Sequence, residues 1–305
     1  MKISFEGRVA IVTGAGNGLG RAHALGLAAR GAKVVVNDLG AARDGTGGSA
    51  AAAERVVEEI RAAGGQAIAD GANIADFAQV QAMAARAKSE WGRIDILVNN
   101  AGILRDKSFA KMALADFRTV MDVHLMGSVH CTKAVWDIMR EQNYGRIVMT
   151  TSSSGLYGNF GQSNYGSAKA GVLGLMNVLA QEGRKNDIRV NTLSPTAATR
   201  MTEDLITSEM LALMTPDSIT PGLLYLVSED APTRTILCAG AGAFAVARIV
   251  ETKGAYLSEN ERTPEAVAAR FAEITDMAGA QALETVLQQT DKFVKMAAKA
   301  KGFRL

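Results

Sequence analysis

Short apolar runs alternate along the chain with longer stretches of helical composition, and this alternation restricts the fold more than any other feature. Candidate strands lie at residues 8–13, 33–37, 66–69, 94–99, 146–151, 188–194 and, less regularly, near 235–239. Between them lie stretches rich in Ala, Glu and Arg, such as 50–63 and 76–91. Runs such as Val34-Val35-Val36 are continuously apolar, as expected where helices cover both faces of a parallel sheet. The pattern predicts an α/β fold built from βαβ units.

The composition changes near residue 250. We therefore expect a catalytic domain over residues 1–250 and a helical C-terminal extension over 251–305, packed on the same domain. Thr263-Pro264-Glu265 is typical of a helix start, with Thr as N-cap, Pro at the first helical position and an acid in the first turn. Two helices are expected in the extension, with a break near Gly279.

The bulk properties exclude several classes of protein. The net charge is +2 with scattered Lys and Arg, which predicts no nucleic-acid partner. No run approaches the roughly 18 apolar residues of a membrane span, and neither terminus carries a signal peptide or a Ser-Lys-Leu peroxisomal address. Cys131 and Cys238 are too few for a disulfide framework. We expect a cytoplasmic protein without a metal site.

A glycine-rich run follows the first strand directly and precedes a helical stretch. It comprises Thr13, Gly14, Ala15, Gly16, Asn17, Gly18, Leu19 and Gly20. A phosphate group needs a close approach of the backbone and a helix N-terminus that points free N–H groups at the charge. The run therefore predicts a dinucleotide site, although a tight strand-to-helix turn also favours glycine.

Asp38 ends the second strand, 18 residues beyond Gly20. A carboxylate there can accept hydrogen bonds from the adenosine ribose hydroxyls and would repel a 2′-phosphate, which favours NAD over NADP. The alternative is that Asp38 only organises the following turn. Other predicted cofactor contacts come from the ends of later strands: Asn73 and Ile74 near the adenine, Asn100, Ala101 and Gly102 beside the cofactor, and Pro195 and Thr199 near the nicotinamide.

Tyr165 and Lys169 are four residues apart at the start of a long helical stretch, so their side chains share one face. A neighbouring ammonium and the positive nicotinamide of NAD both favour the phenolate form, which can take a proton from a substrate hydroxyl. Ser152 ends the fifth strand and can bond the reacting oxygen from the other side. Tyr165 and Lys169 are also expected to contact the cofactor. An exposed helix pair without a catalytic role is the alternative.

Together these residues resemble the short-chain dehydrogenase/reductase family over about residues 5–250. The resemblance implies a doubly wound (Rossmann) sheet of seven parallel strands in the order 3-2-1-4-5-6-7, with helices on both faces. It also implies a homodimer or homotetramer built on the helices around residues 116–141 and 165–185.

His124 stands where this family usually carries a catalytic Asn, and in this the chain resembles a narrower group. These are the (3R)-hydroxyacyl-CoA dehydrogenase units, also 17β-hydroxysteroid dehydrogenases, of the peroxisomal multifunctional enzymes of type 2. The matching stretches are residues 145–150, 155–162, 200–202 and 263–267. His124 is a candidate for a proton relay to Lys169; a structural core histidine is the other interpretation.

The resemblance implies an oxidoreductase that passes a hydride between NAD and a secondary alcohol, either a (3R)-3-hydroxyacyl-CoA or a 17β-hydroxysteroid. Residues 202–214 are apolar at helical spacing and predict a lid over an apolar pocket, or ordinary helix packing. Two alternatives remain open at this point. One is an NADP-dependent 3-oxoacyl-[acyl-carrier-protein] reductase, against which Asp38 argues. The other is a non-catalytic nucleotide-binding regulator, for which Ser152, Tyr165 and Lys169 would serve no purpose.

Overall fold

The computed structural model describes residues 3–49, 51–197 and 207–304. By its internal contacts the chain divides into two units, Met1–Val246 and Ala247–Leu305. The strands are β1 (Val9–Thr13), β2 (Lys33–Asn37), β3 (Gln66–Asp70), β4 (Ile96–Asn99), β5 (Gly145–Thr150), β6 (Ile188–Thr196), β7 (Ile236–Gly240) and β8 (Ala243–Ala247). The helices of the first unit are α1 (Gly18–Ala28), α2 (Ala51–Ala62), α3 (Phe77–Trp91), α4 (Leu114–Met121), α5 (Gly127–Gln142), α6 (Ser153–Tyr157), α7 (Ser163–Glu182), α8 (Ser208–Leu213) and α9 (Thr220–Leu226).

The strands form one sheet in the order β3-β2-β1-β4-β5-β6-β7-β8. Strands β1 to β7 pair in parallel, with Val12 opposite Val36 on one side and Val98 on the other. The predicted doubly wound parallel sheet and its strand order are therefore confirmed. All carboxyl ends of the parallel strands meet at one edge, which is where such sheets bind ligands.

The sheet has eight strands rather than the predicted seven. After β7, Ala241 and Gly242 both take positive φ angles, 48° and 78°. Two consecutive residues of this kind make the tight turn that joins antiparallel strands. The chain therefore returns along β7 as β8, an edge strand that the sequence pattern did not predict.

Helices cover both faces of the sheet. One core is formed where α1, α2 and α9 pack on apolar residues of β1, β2, β4, β5 and β6, including Leu27, Ile60, Val98 and Leu223. Helices α3, α5 and α7 contact one another or the strands β4 to β6 on the other face. These strands are buried on both faces, which explains their continuous apolar runs.

Arg146 at the start of β5 is fully buried. Its guanidinium donates hydrogen bonds to the carbonyl oxygens of Gly145, Asp187, Ser228 and Glu229 and to the Asp187 carboxylate. All five N–H groups of an arginine are thereby used, which is what a buried guanidinium requires. This network lies at the edge of the sheet opposite the carboxyl ends of the strands.

The second unit contains α10 (Pro264–Ala269), α11 (Phe271–Ile274) and α12 (Val286–Lys301). As predicted, Thr263 caps α10, and its side chain accepts a hydrogen bond from the Ala266 N–H. Gly279 lies in the break before α12, with φ of 76°. Thr285 and Gln288 form a capping box at the start of α12. Within the described parts of both units, no helix is long and apolar enough to cross a membrane.

Candidate active site

Several positions in the turn between β1 and α1 leave room only for glycine. Gly14 has φ of +62°, and a Cβ at this residue would lie 2.6 Å from the Cα of Ala101. A Cβ at Gly20 would lie 2.1 Å from the Gly14 carbonyl oxygen. The glycines are thus required by close approaches within the protein itself, at the point where β1, β4 and α1 meet.

The start of α1 fits a phosphate group. The helix begins at Gly18, and the N-cap residue Asn17 makes no side-chain capping hydrogen bond. The first-turn N–H groups of a helix have no partner within the helix, and their partial positive charge favours an anion. Gly16, Asn17, Gly18 and Leu19 are therefore placed to hold the pyrophosphate of a dinucleotide.

Asp38 follows β2, and its carboxylate lies against the glycine turn. One carboxylate oxygen accepts a hydrogen bond from the Gly16 N–H at 2.7 Å, and the other accepts from the Gly40 N–H at 2.7 Å. A Cβ at Gly16 would lie 2.8 Å from this carboxylate. Asp38 thus both organises the loop and places a negative charge beside the predicted adenosine site, so its two interpretations are compatible.

The residues after β3 are already engaged with the protein. The Asn73 side-chain oxygen accepts a hydrogen bond from the Ala75 N–H at 3.0 Å. Ile74 is buried, and a Cβ at Gly127 would lie 2.6 Å from its Cδ1. Their contact with an adenine stays a prediction.

Thr13, at the end of β1, holds the segment after β4. Its hydroxyl oxygen accepts hydrogen bonds from the N–H groups of Asn100 at 3.0 Å and Ala101 at 3.1 Å. The Asn100 amide donates in return to the carbonyl oxygens of Thr13 and Gly14. Asn100, Ala101 and Gly102 are therefore fixed beside the glycine turn, and Thr13 is a site residue whose role was not predicted.

Ser152, Tyr165 and Lys169 come together at the carboxyl end of β5. Ser152 is the N-cap of α6, and its hydroxyl oxygen accepts a hydrogen bond from the Ser154 N–H at 3.2 Å. Lys169 is buried in α7; its ammonium lies 5.6 Å from the centre of the Tyr165 ring and donates to the Thr150 carbonyl oxygen at 2.6 Å. The four-residue spacing has thus brought both side chains to the strand end that carries Ser152.

Burial dominates the ionisation of this pair. Burial raises the pKa of Tyr165, a hydrogen bond from Ser152 lowers it, and the Asp106 carboxylate raises it further. Burial lowers the pKa of Lys169 to about 7. The expectation that Lys169 and the nicotinamide of NAD favour the phenolate left out desolvation, which acts in the opposite direction. A positive charge bound close to Tyr165 would act against this desolvation.

His124 lies in a π-helical turn, Asp122–Met126, between α4 and α5. Its Nε2 is 3.1 Å from the Ile103 nitrogen and 2.7 Å from the Ile103 oxygen. The ring meets the Tyr165 ring edge-on at 5.0 Å between centres. Its Nδ1 has no hydrogen-bond partner among the described residues. Burial, followed by the charge of Lys169, holds the pKa of His124 well below its usual range.

The same imidazole explains Gly102. A Cβ at that position would lie 2.2 Å from the His124 Cε1, so only glycine leaves room for the ring. His124 is therefore a neutral side chain packed between the segment after β4 and Tyr165. Both the structural and the relay interpretations predict such a location.

Other polar side chains form hydrogen bonds close to Tyr165. Gln162 donates to the Asp106 carboxylate at 2.8 Å and accepts from the Ser154 hydroxyl at 2.7 Å. Asn164, fully buried, accepts from the Tyr165 N–H at 2.7 Å. None of these roles was predicted. The clustering of Gln162 and Asn164 beside Tyr165 in the sequence was the available signal, but their partners are distant in the chain.

The nicotinamide end is only partly described. Pro195 lies in β6, opposite Ala239 of β7. Thr199 and residues 198–206 lie outside the described residues, so the predicted carboxamide contact and the first part of the predicted lid do too. The rest of the predicted lid contains α8, where Leu213 is exposed.

Comparison with known proteins shows the family of the chain. The sequence matches the short chain dehydrogenase family over residues 8–209. It is 45% identical to mouse peroxisomal multifunctional enzyme type 2 over 297 residues, which are 96% of this chain and 40% of the relative. The chain spans about half the length, or less, of the multifunctional enzymes of type 2 that it matches.

Solved structures give the same result. The full-length peroxisomal multifunctional enzyme type 2 of Drosophila melanogaster superposes with a TM-score of 0.82 at 39% identity, covering 97% of this chain and 50% of that one. A 7α-hydroxysteroid dehydrogenase, solved with NADH and 7-oxo glycochenodeoxycholic acid, gives a TM-score of 0.71 at 34% identity, covering 79% of this chain and 95% of that one. Fold, site and sequence therefore agree that the chain belongs to the short-chain dehydrogenase family.

Proposed function

We propose that the chain is an NAD-dependent dehydrogenase of secondary alcohols, acting on (3R)-3-hydroxyacyl-CoA thioesters or on 17β-hydroxysteroids. The observation that carries this proposal is the arrangement of Ser152, Tyr165 and Lys169 at the carboxyl end of β5, beside the glycine turn. In this proposal Tyr165 is the proton acceptor, Ser152 the ligand of the reacting oxygen and Lys169 the basic neighbour of the phenol.

In the proposed reaction the substrate hydroxyl lies between Ser152 and Tyr165. Ser152 donates a hydrogen bond to the reacting oxygen, and the Tyr165 phenolate takes the hydroxyl proton as the carbonyl forms. Lys169 stabilises the phenolate by its charge and also binds the cofactor ribose. When bound, NAD supplies the hydride acceptor and a positive charge that favours ionisation of the phenol.

The preference for NAD rests on Asp38. Its two carboxylate oxygens are held by the N–H groups of Gly16 and Gly40, so the charge is fixed at the end of β2. A 2′-phosphate at this position would meet the carboxylate of Asp38. This also argues against the NADP-dependent 3-oxoacyl-[acyl-carrier-protein] reductase.

We take the substrate class from exposed apolar side chains on segments that flank Tyr165 in the fold. They are Phe109, Leu114, Tyr157 and Phe160, with exposed fractions of 76% to 90%. Residues 106–112 are tied to residues 161–163, which precede Tyr165, through the bond from the Lys107 N–H to the Gly161 oxygen at 2.9 Å. Apolar surface beside a polar site suits an acyl chain or a steroid. One of the similar solved structures is named as a 7α-hydroxysteroid dehydrogenase, which supports the steroid class.

The test is a set of initial-rate measurements, with NADH absorbance as the signal, on (3R)- and (3S)-3-hydroxyacyl-CoAs of increasing length and on hydroxysteroids. Each buried methylene contributes roughly 0.8 kcal/mol, so two added carbons should raise kcat/KM about tenfold until the pocket is filled. Phe160→Ser should weaken this dependence, whereas the control Tyr225→Ser, at an exposed residue of α9, should leave it unchanged.

A flat response to chain length or a preference for the (3S) series would overturn the acyl-CoA assignment. A comparable rate with a hydroxysteroid would not, since a flat sterol can use the same surface. Equal or better kcat/KM with NADP would overturn the cofactor assignment. Absence of turnover with every alcohol, together with intact NAD binding, would favour the nucleotide-binding regulator.

We further propose that the protein is a cytoplasmic homodimer or homotetramer built on α4, α5 and α7. The two free cysteines suit a reducing compartment.

The assembly concerns the surface of α5 and α7. An open groove of about 600 Å³ lies between α5 and the end of α7, lined by Trp136, Arg140, Gln181, Glu182, Arg184 and Lys185. Sedimentation velocity tests the assembly: a monomer at micromolar concentration would contradict it.

A further inference from the structure

The segment that follows β4 connects the cofactor side of the site to the catalytic helix. Its residue Arg105 makes contacts in both directions. The guanidinium donates to the Asp44 carbonyl oxygen at 2.9 Å and to the Asp116 carboxylate at 2.8 Å. The Arg105 carbonyl oxygen accepts a hydrogen bond from the Asn164 amide at 3.0 Å.

On the cofactor side, Arg105 fixes the loop that begins at Asp38. Asp44 belongs to this loop, and the Leu104 N–H donates to the neighbouring Arg43 oxygen at 3.0 Å. The Gly40 N–H, in the same loop, holds the Asp38 carboxylate. The position of the proposed ribose ligand therefore depends on a loop that Arg105 holds from its far side.

On the catalytic side, the link runs through Asn164. This side chain is fully buried. Its amide N–H donates to the Arg105 carbonyl oxygen, and its oxygen accepts a hydrogen bond from the Tyr165 N–H at 2.7 Å. Tyr165 lies in the first turn of α7, where backbone N–H groups lack partners within the helix. Asn164 therefore sets the backbone position of the residue that takes the substrate proton.

We propose that Arg105 and Asn164 are positioning residues that join the loop after β2 to the catalytic tyrosine. Arg105 acts on both cofactor affinity and turnover, because its side-chain bonds to Asp44 and Asp116 fix both the loop and the backbone carbonyl that holds Asn164. Asn164 acts on turnover alone. The proposal rests on the proposed function, since it takes Tyr165 as the base.

The test is a double-mutant cycle with Arg105→Gln and Asn164→Ala, read as kcat and KM for NAD, with NADH affinity from fluorescence titration. Loss of one hydrogen bond corresponds to a change of roughly 2- to 10-fold in a rate constant or an equilibrium constant. Arg105→Gln should raise the KM for NAD and lower kcat, each on the order of 2- to 10-fold. Asn164→Ala should lower kcat without changing NADH affinity. The double variant should have a kcat close to that of Asn164→Ala.

The matched control is Arg55→Gln, which removes an exposed arginine of α2 and should change neither constant. Multiplicative losses of kcat in the double variant, or an NAD KM for Arg105→Gln equal to that of the control, would overturn the proposal. If Arg105→Gln does not fold, Arg105→Lys takes its place, because it keeps the charge that faces Asp116 but lacks the planar guanidinium. Arg105→Lys should also raise the KM for NAD and lower kcat. The experiment separates failure of this proposal from failure of the proposed function. Full activity of Tyr165→Phe would refute Tyr165 as the base, whereas the NADH affinity of Arg105→Gln would still show whether Arg105 positions the loop after β2.

Discussion

Gly102→Ala should destabilise the protein by about 2–4 kcal/mol through a clash with His124. The added methyl would lie 2.2 Å from the His124 Cε1, whereas ordinary contact begins at 3.4 Å, so the ring must move by more than an ångström. Overpacking of this kind costs about 1–3 kcal/mol. The hydrogen bond between His124 and Ile103 would be lost as well, at about 1 kcal/mol. The edge-on contact with Tyr165 would change, so turnover should also fall.

Urea unfolding measures this effect. Gly174→Ala is the control, because a methyl at that position of α7 meets no atom within 4 Å and should leave stability equal or slightly higher. His124→Ala should vacate the space that the methyl of Gly102→Ala requires. The double variant should therefore be less destabilised than the sum of the two single variants. Strict additivity, or a Gly102→Ala variant within about 0.5 kcal/mol of the wild type, would refute the steric explanation.

Four further predictions concern ionisable groups. Tyr165→Phe should reduce kcat by about 10²–10⁴-fold with NADH affinity retained, and activity within about tenfold of wild type would show that Tyr165 is not the base. Asp38→Ala should narrow the ratio of kcat/KM for NAD over NADP; an unchanged ratio would remove Asp38 from cofactor selection. Asp106→Asn removes a charge that raises the pKa of Tyr165, so the rising limb of the pH profile for alcohol oxidation should move to lower pH; no shift, or a shift upward, would contradict this. Burial lowers the pKa of His23 to about 3 from 6.5. The unfolded state therefore binds a proton more readily, and the free energy of unfolding should fall as the pH drops from 6.5 toward 3, less so in His23→Gln.

The sheet and the glycine turn were predictable because their signals are local. The continuous apolar runs gave the strands to within two residues, and the capping residue Thr263 gave the start of a helix in the extension. The turn before α1 was predictable because close backbone approach leaves glycine as the main choice. Each of these inferences needs only a few neighbouring residues.

The contacts missed in the sequence join residues far apart in the chain. The ring of His124 fills the space above Gly102, and Asn164 reaches the carbonyl oxygen of Arg105. Neither partner is marked by composition or spacing. The eighth strand was missed because alanine at residue 241 gives no sign of a positive φ angle. The effect of desolvation on the pKa of Tyr165 was missed because it depends on tertiary burial.

The buried guanidinium of Arg146 has a consequence for synthesis on the ribosome. Its acceptors lie at residues 145, 187, 228 and 229, so they leave the exit tunnel at widely separated times. Until residue 229 emerges, β5 cannot be enclosed without leaving charge-bearing N–H groups unpaired in an apolar surrounding. The nascent chain therefore has to keep this part of the sheet open to water, and a nascent chain stalled before that residue should be more easily cleaved by protease and bound by chaperones than one stalled after it.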